Sequence, residues 1–312
     1  MKPAWSVIFL TTLIGAGQGL FLAMVGIEAA SRVGMMAPVA ADFYVTGSFF
    51  ATLLLVCGLG ASFLHLGHPE RAWRAIAMWR TSWLSREVIV LPAFIAAVIA
   101  YGYAHAQSLN CTGWVAAAGV LLCVALFVCT AMIYSCLKFL QEWHTPLTCV
   151  NFFFLGAASG TLLAAALAAT AWPLIVPRLA LAAAVLIAAG AVTRSLSLVR
   201  NARLRPKSTV QSATGIANLK IVQKAQGAMG GSFNTREFFH GRSTAALRLV
   251  KWFFLLAVFV LPLAMILLAL EQGRSQWLVV VFGLQYAGLL AERWFFFAQA
   301  RHPQNLYYQA IS

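Results

Sequence analysis

Charge is scarce in this sequence, and acidic charge most of all. Its 312 residues include only 8 Asp and Glu beside 22 Lys and Arg, and 10% are charged in all, where a soluble domain carries about a quarter. That shortage excludes a soluble globular class. With 62% hydrophobic residues and a mean hydropathy of +0.83, the chain reads as an integral membrane protein. A small-residue cleavage site is also missing after the first apolar run, so that run is expected to stay in the mature chain. No convincing internal repeat is present, which gives the inverted-repeat transporters no support. The six cysteines, Cys57, Cys111, Cys123, Cys129, Cys136 and Cys149, have no CxxC or ferredoxin-like spacing. They read as small core residues rather than a disulfide framework or ligands of an iron-sulfur cluster.

What the sequence does contain is hydrocarbon in membrane-crossing lengths. A helix needs about 20 apolar residues to cross about 30 Å. Eight such runs are predicted, at 5–29, 43–66, 87–106, 113–137, 147–170, 174–196, 249–270 and 275–298. The expected fold is an all-α integral membrane protein, an eight-transmembrane-helix bundle forming one domain over 1–312. All of the 22 Lys and Arg except Arg32, Arg178 and Arg274 fall at the termini or toward the second, fourth and sixth connections. The positive-inside rule therefore places both termini in the cytoplasm. The same bias accounts for most of the net charge of +14 without nucleic acid, since there is no soluble basic domain to bind one.

Most connections are short, but 197–248 is expected to be a long basic cytoplasmic loop with Glu237 as its single acid. It reads either as a solvated loop that satisfies the charge bias or as a docking surface for an acidic soluble partner. Arg203, Arg205, Lys207, Lys220, Lys224 and Arg236 would form that surface.

One stretch, HLGHPERAWRAIAMWRTSWLSREV over 65–88, breaks the apolar pattern differently. Pro69 suits the first turn of a helix. On a helical wheel from Glu70 to Trp83, residues Ala72, Trp73, Ile76, Trp79 and Trp83 share an arc, with Glu70, Arg71, Arg74 and Thr81 opposite. This predicts a short interfacial amphipathic helix after the second span, with Arg80 out of place inside its apolar arc. His65 closes the second span and Glu87 opens the third, on the same rim. A histidine and a carboxyl so placed match the needs of a two-proton redox partner such as a quinone. They equally match a structural network in which His65 caps a helix and Glu87 neutralises Arg86 or Arg80. Elsewhere, Glu292 and Arg293 read as an anchoring pair at the end of the last span. Gly15, Gly17 and Gly19 read as a close helix contact, and Tyr307 and Tyr308 as interface or partner contacts.

HLGHPERAWRA followed by SWLSRE resembles the HLG-x-P-x-RA-x and S-x-LS-x-E signature of the membrane anchor subunit of the dimethyl sulfoxide reductase family. The tail AERWFFFAQARHPQNLYYQ adds weaker support. The resemblance implies an anchor in the bacterial inner membrane that holds an iron-sulfur electron-transfer subunit and a molybdopterin catalytic subunit. The molybdenum cofactor and iron-sulfur clusters would reside in those partners, and electrons would be exchanged with ubiquinone or menaquinone. It further implies that His65, Arg71 and Glu87 fall on positions associated with quinol binding; on the residues themselves, Arg71 or Arg74 is expected to hold the site or the partner. His68 and Glu70 depart from the family pattern. The long loop and tail are more similar to the anchor of the cytoplasmic sulfite dehydrogenase branch, which implies oxidation of sulfite to sulfate. The alternative is the quinol-oxidising anchor of a dimethyl sulfoxide reductase. No catalytic residue and no metal ligand is assigned to the chain itself.

Two further classes stay in view. A haem b cytochrome would need axial ligands facing one another within the bundle. His105 falls at the rim opposite His65, while His144, His240 and His302 fall in connections or the tail. A small-molecule transporter would need charge near the midplane and broken helices, whereas Glu28 falls near the outer end of the first span.

Overall fold

The computed structural model describes residues 1–64, 66–218, 220–224 and 238–307. Among the described residues, eight helices are long and apolar enough to cross a membrane. They are α1 (Trp5–Arg32), α2 (Ala41–Phe63), α3 (Trp83–Ala106), α4 (Thr112–Ser135), α5 (Pro146–Ala171), α6 (Val176–Ala202), α8 (Thr244–Glu271) and α9 (Leu278–Ala298). A short α7 (Val210–Thr214) lies in the connection after α6. All eight expected spans are present. The connection predicted at 197–248 is shorter, because α6 continues to Ala202 and α8 starts at Thr244. Arg200 supports the added turn of α6 by donating to the Gln141 and His144 carbonyls at 3.1 and 3.3 Å. Ser243 caps α8 by accepting from the Ala246 N–H at 3.2 Å.

The centre of the bundle is the pair α1 and α5, packed along one another. Helices α1 to α4 follow in order around one side and α5, α6, α8 and α9 around the other. Small residues make the central contact possible. A Cβ on Gly19 would lie 2.2 Å from the Gly156 carbonyl oxygen, inside any allowed contact distance. In α8, Pro262 has no N–H to return to the preceding turn, and it follows a π-helical turn over Leu256–Val260.

The N-terminus and the end of α9 share one rim: the Met1 amine donates to the Ala300 carbonyl at 2.8 Å. This terminal rim also carries the α2–α3, α4–α5 and α6–α8 connections. The element after α2 is a 3₁₀ helix over Pro69–Met78 rather than the α-helix expected over Glu70–Trp83. With about 3.0 residues per turn, positions three apart eclipse. Trp73, Ile76 and Trp79 then form one ridge and Arg71, Arg74 and, in the following turn, Arg80 form another. Arg80 is thus no exception; the α-helical wheel had the wrong period.

Candidate functional site

Ser82 starts α3 by accepting from the Ser85 N–H at 3.4 Å, and Glu87 lies about one turn inside. It is 5% exposed. Its Oε1 accepts a hydrogen bond from the hydroxyl of Thr130 on α4. Among the described residues, no cation pairs with it. Arg86 turns away, donating to the Trp79 and Arg80 carbonyls at 2.9 and 2.8 Å and lying 4.2 Å over the Trp83 ring. The expectation that Glu87 neutralises Arg86 or Arg80 is therefore corrected: Arg86 is occupied by the backbone of the turn it leaves. Leaving a buried carboxylate unpaired costs on the order of several kcal/mol. Such a group is suited to taking up and releasing a proton.

The other expected site residues are placed differently. Arg71 is an exposed surface residue 3.7 Å from Glu70, which also meets His68 at 3.1 Å. Arg74 lies over Trp73 at 5.6 Å. Neither reaches Glu87. Both belong to the exposed 3₁₀ helix, where Trp73, Ile76, Trp79 and nearby Leu64 and Leu84 present an apolar, basic-edged surface above α3. His65 and Arg236 lie outside the described residues, as does Tyr308. Of the expected docking residues, Arg203, Arg205, Lys207, Lys220 and Lys224 are all exposed on the connection after α6.

Sequence reasoning missed a second buried group, toward the same ends of α6 and α9. Glu292 and Arg293 are not rim anchors: they are 1% and 3% exposed, and Arg194 of α6 is 1% exposed. Arg194 Nε lies 2.7 Å from Glu292 Oε1. The Arg293 guanidinium stacks 3.8 Å from the Phe152 ring centre. The anchoring reading fails because α9 turns this face inward onto α5 and α6, where the pair meets Arg194 instead of headgroups. An ionisable residue inside an apolar run was the available signal.

The opposite rim holds a competing cluster around an open cavity of about 250 Å³ lined by Glu28, Tyr44 and His105 among others. There Glu28 accepts from Arg32 at 3.0 and 2.7 Å, from Thr112 at 2.8 Å and from Tyr101 at 2.7 Å. His105 stacks on Tyr44 at 4.1 Å. This carboxylate is paired and fully bonded, so its geometry is that of a structural network. Glu87 has one hydroxyl partner and, among the described residues, no paired cation.

An eight-helix membrane protein with a lightly compensated carboxyl at the terminal rim is the class that fold and site define. The sequence matches the family described as DMSO reductase anchor subunit (DmsC) over residues 1–308. It is 54% identical over 325 aligned positions to a sulfite dehydrogenase subunit of Allochromatium vinosum, covering 100% of each chain. The chain belongs to the DMSO reductase anchor subunit family. It is a membrane anchor, and an anchor implies partner subunits to hold.

Proposed function

We propose that this chain anchors a molybdenum and iron-sulfur oxidoreductase to the bacterial inner membrane and provides its quinone site at the terminal rim, facing the cytoplasm. Electrons would pass between an iron-sulfur partner and the quinone pool during oxidation of sulfite to sulfate. The observation that carries the quinone site is Glu87, buried at the rim with one hydroxyl partner and no described counter-ion. The full-length likeness to a subunit of a sulfite dehydrogenase supports the substrate.

Oxidising sulfite with water to sulfate releases two electrons and two protons, and reducing a quinone to a quinol takes up two of each. With both on the cytoplasmic side, the reaction moves almost no net charge across the membrane. In this scheme Glu87 holds and hands over a proton, with Thr130 fixing the carboxyl. His65 would hydrogen-bond a quinone carbonyl. Arg71 and Arg74 are too exposed to touch Glu87 and would hold the headgroup entrance or the partner. Arg203, Arg205, Lys207, Lys220, Lys224 and Arg236 would dock the iron-sulfur subunit. The molybdenum cofactor and clusters would belong to the partners.

The test uses membranes that contain the assembled complex. Given sulfite, they should reduce a quinone analogue. Glu87→Gln and His65→Ala should lower that rate by about 10 to 1000-fold while leaving assembly and activity with a soluble electron acceptor intact. Equal loss by both assays would make Glu87 structural. Failure with sulfite, together with quinol oxidation by dimethyl sulfoxide, would reverse the direction.

A further inference from the structure

The buried charges of α6 and α9 have no part in that scheme. Arg194, Glu292 and Arg293 put two guanidinium groups on one carboxylate, with Arg293 Nη1 3.6 Å from Glu292 Oε2. They leave one net positive charge inside the bundle. They are also incompletely bonded: Arg293 Nε is buried and makes no hydrogen bond among the described residues.

Arg293 lines a small cavity together with Thr11, Thr12, Gln18 and Thr130. Its volume open to a water centre is about 10 Å³, which is room for one water, and such a water needs two to four polar partners. The Arg293 Nε–H supplies a donor. The Thr130 hydroxyl spends its single hydrogen on Glu87 and keeps lone pairs free to accept. A water held there would link the Arg293 Nε–H to Thr130, and through Thr130 to Glu87, across the bundle from α9 to α3.

We propose that Arg293, balanced by Glu292 and Arg194, is a positioning residue for the quinone site, acting through an internal water and Thr130 to set how readily Glu87 releases its proton. The role in quinone chemistry rests on the function proposed above. Other titratable groups around this link are Arg86 on α3 and Cys129 and Tyr134 on α4. From α1 and α5 the groups facing it are uncharged: Thr11, Thr12, Gln18 and Phe152. Arg293 is thus the cation whose removal changes the field at Glu87 from the far side of Thr130.

Infrared titration of the resting complex tests the link. The carboxylic acid band that Glu87→Gln removes is followed with pH in two further variants. In Arg293→Gln, loss of the cation should raise the midpoint of that band by about one pH unit; in Glu292→Gln, loss of the balancing anion should lower it by a similar amount. Midpoints that move together, or stay put, overturn the proposal, because disrupted packing has no reason to produce opposite signs. If Arg293→Gln does not accumulate, Glu292→Gln carries the test by itself: its midpoint should fall, and an unmoved midpoint overturns the proposal. Failure of the quinone reading is separate: it appears as unchanged quinone turnover in Glu87→Gln, whatever the infrared midpoints do.

Discussion

Gly160 on α5 faces the backbone of Leu20 on α1 so closely that a Cβ would lie 2.1 Å from the Leu20 nitrogen. The backbone has no flexible end to move aside, so Gly160→Ala must push the two central helices apart. Overpacking typically costs about 1 to 3 kcal/mol, and a backbone clash belongs at or above the top of that range. Membrane abundance and thermal stability of the complex should fall sharply. Gly26→Ala and Gly60→Ala are matched controls, because nothing lies within 4 Å of an added Cβ there. Those two should assemble normally.

The Glu28 cluster gives the opposite test, of stability without function. Tyr101→Phe removes a 2.7 Å hydrogen bond to the Glu28 carboxylate. A bond to a charged group contributes about 1.5 to 3 kcal/mol. Thermal stability should drop by that order, while quinone turnover per assembled complex stays unchanged. A selective loss of quinone turnover would move the functional site to the opposite rim.

These two clusters show what the sequence makes legible. Span number and the rim shared by Glu87 and the basic connections follow from hydropathy and charge, which act locally along the chain. The glycine triplet at Gly15, Gly17 and Gly19 likewise marked a close contact. Partners across the bundle were hidden: Thr130 could equally have bonded its own helix carbonyls, and nothing near Glu292 points to Arg194. The 3₁₀ period was visible only as a fault, in Arg80 falling on the apolar arc of an α-helical wheel. Its meaning emerges once three-residue spacing sorts Arg71, Arg74 and Arg80 from the tryptophans.

Two native cysteines can report orientation. Cys111 precedes α4 at the opposite rim and Cys136 follows it at the terminal rim, and both are exposed. With cytoplasmic termini, a membrane-impermeant maleimide added to intact spheroplasts should label Cys111 and spare Cys136 until the membrane is opened. Cys136→Ser should remove the second signal. Labelling in the reverse order would invert the bundle and move Glu87 to the outer face.

The terminal rim should also respond to acid. Burial pulls the Met1 amine from 8.0 down to about 6, against the attraction of Glu142. Burial and then the nearby Met1 ammonium lower His302 and His240 as well. His302 stacks on Phe238 at 3.8 Å, and Asn305 donates to the Phe238 carbonyl at 3.0 Å. Because all three pKa values are depressed in the docked state, the undocked state binds protons first as pH falls. Docking is complete above about pH 8 and weakens as pH falls to about 6 and below. Protection from hydrogen exchange at residues 1–4 and 300–306, taken against the intrinsic exchange rate at each pH, should fall over that window. Protection that rises on acidification would reverse the sign of the coupling.

The basic connection offers the test of partner docking. Arg203, Arg205, Lys207, Lys220 and Lys224 are exposed and of one sign, so their attraction for an acidic surface should be screened by salt over about 8 to 10 Å. The double reversal Arg205→Glu/Lys207→Glu lies beyond the end of α6 and should leave the bundle intact. If this surface docks the iron-sulfur subunit, association in detergent should slow by about tenfold or more at low salt, with little change in dissociation. The difference from the unaltered chain should shrink as salt rises. An association rate that ignores both the reversal and the salt would leave the loop as solvated positive charge and place docking elsewhere on the terminal rim, with the exposed Trp73 and Trp79 ridge next in line.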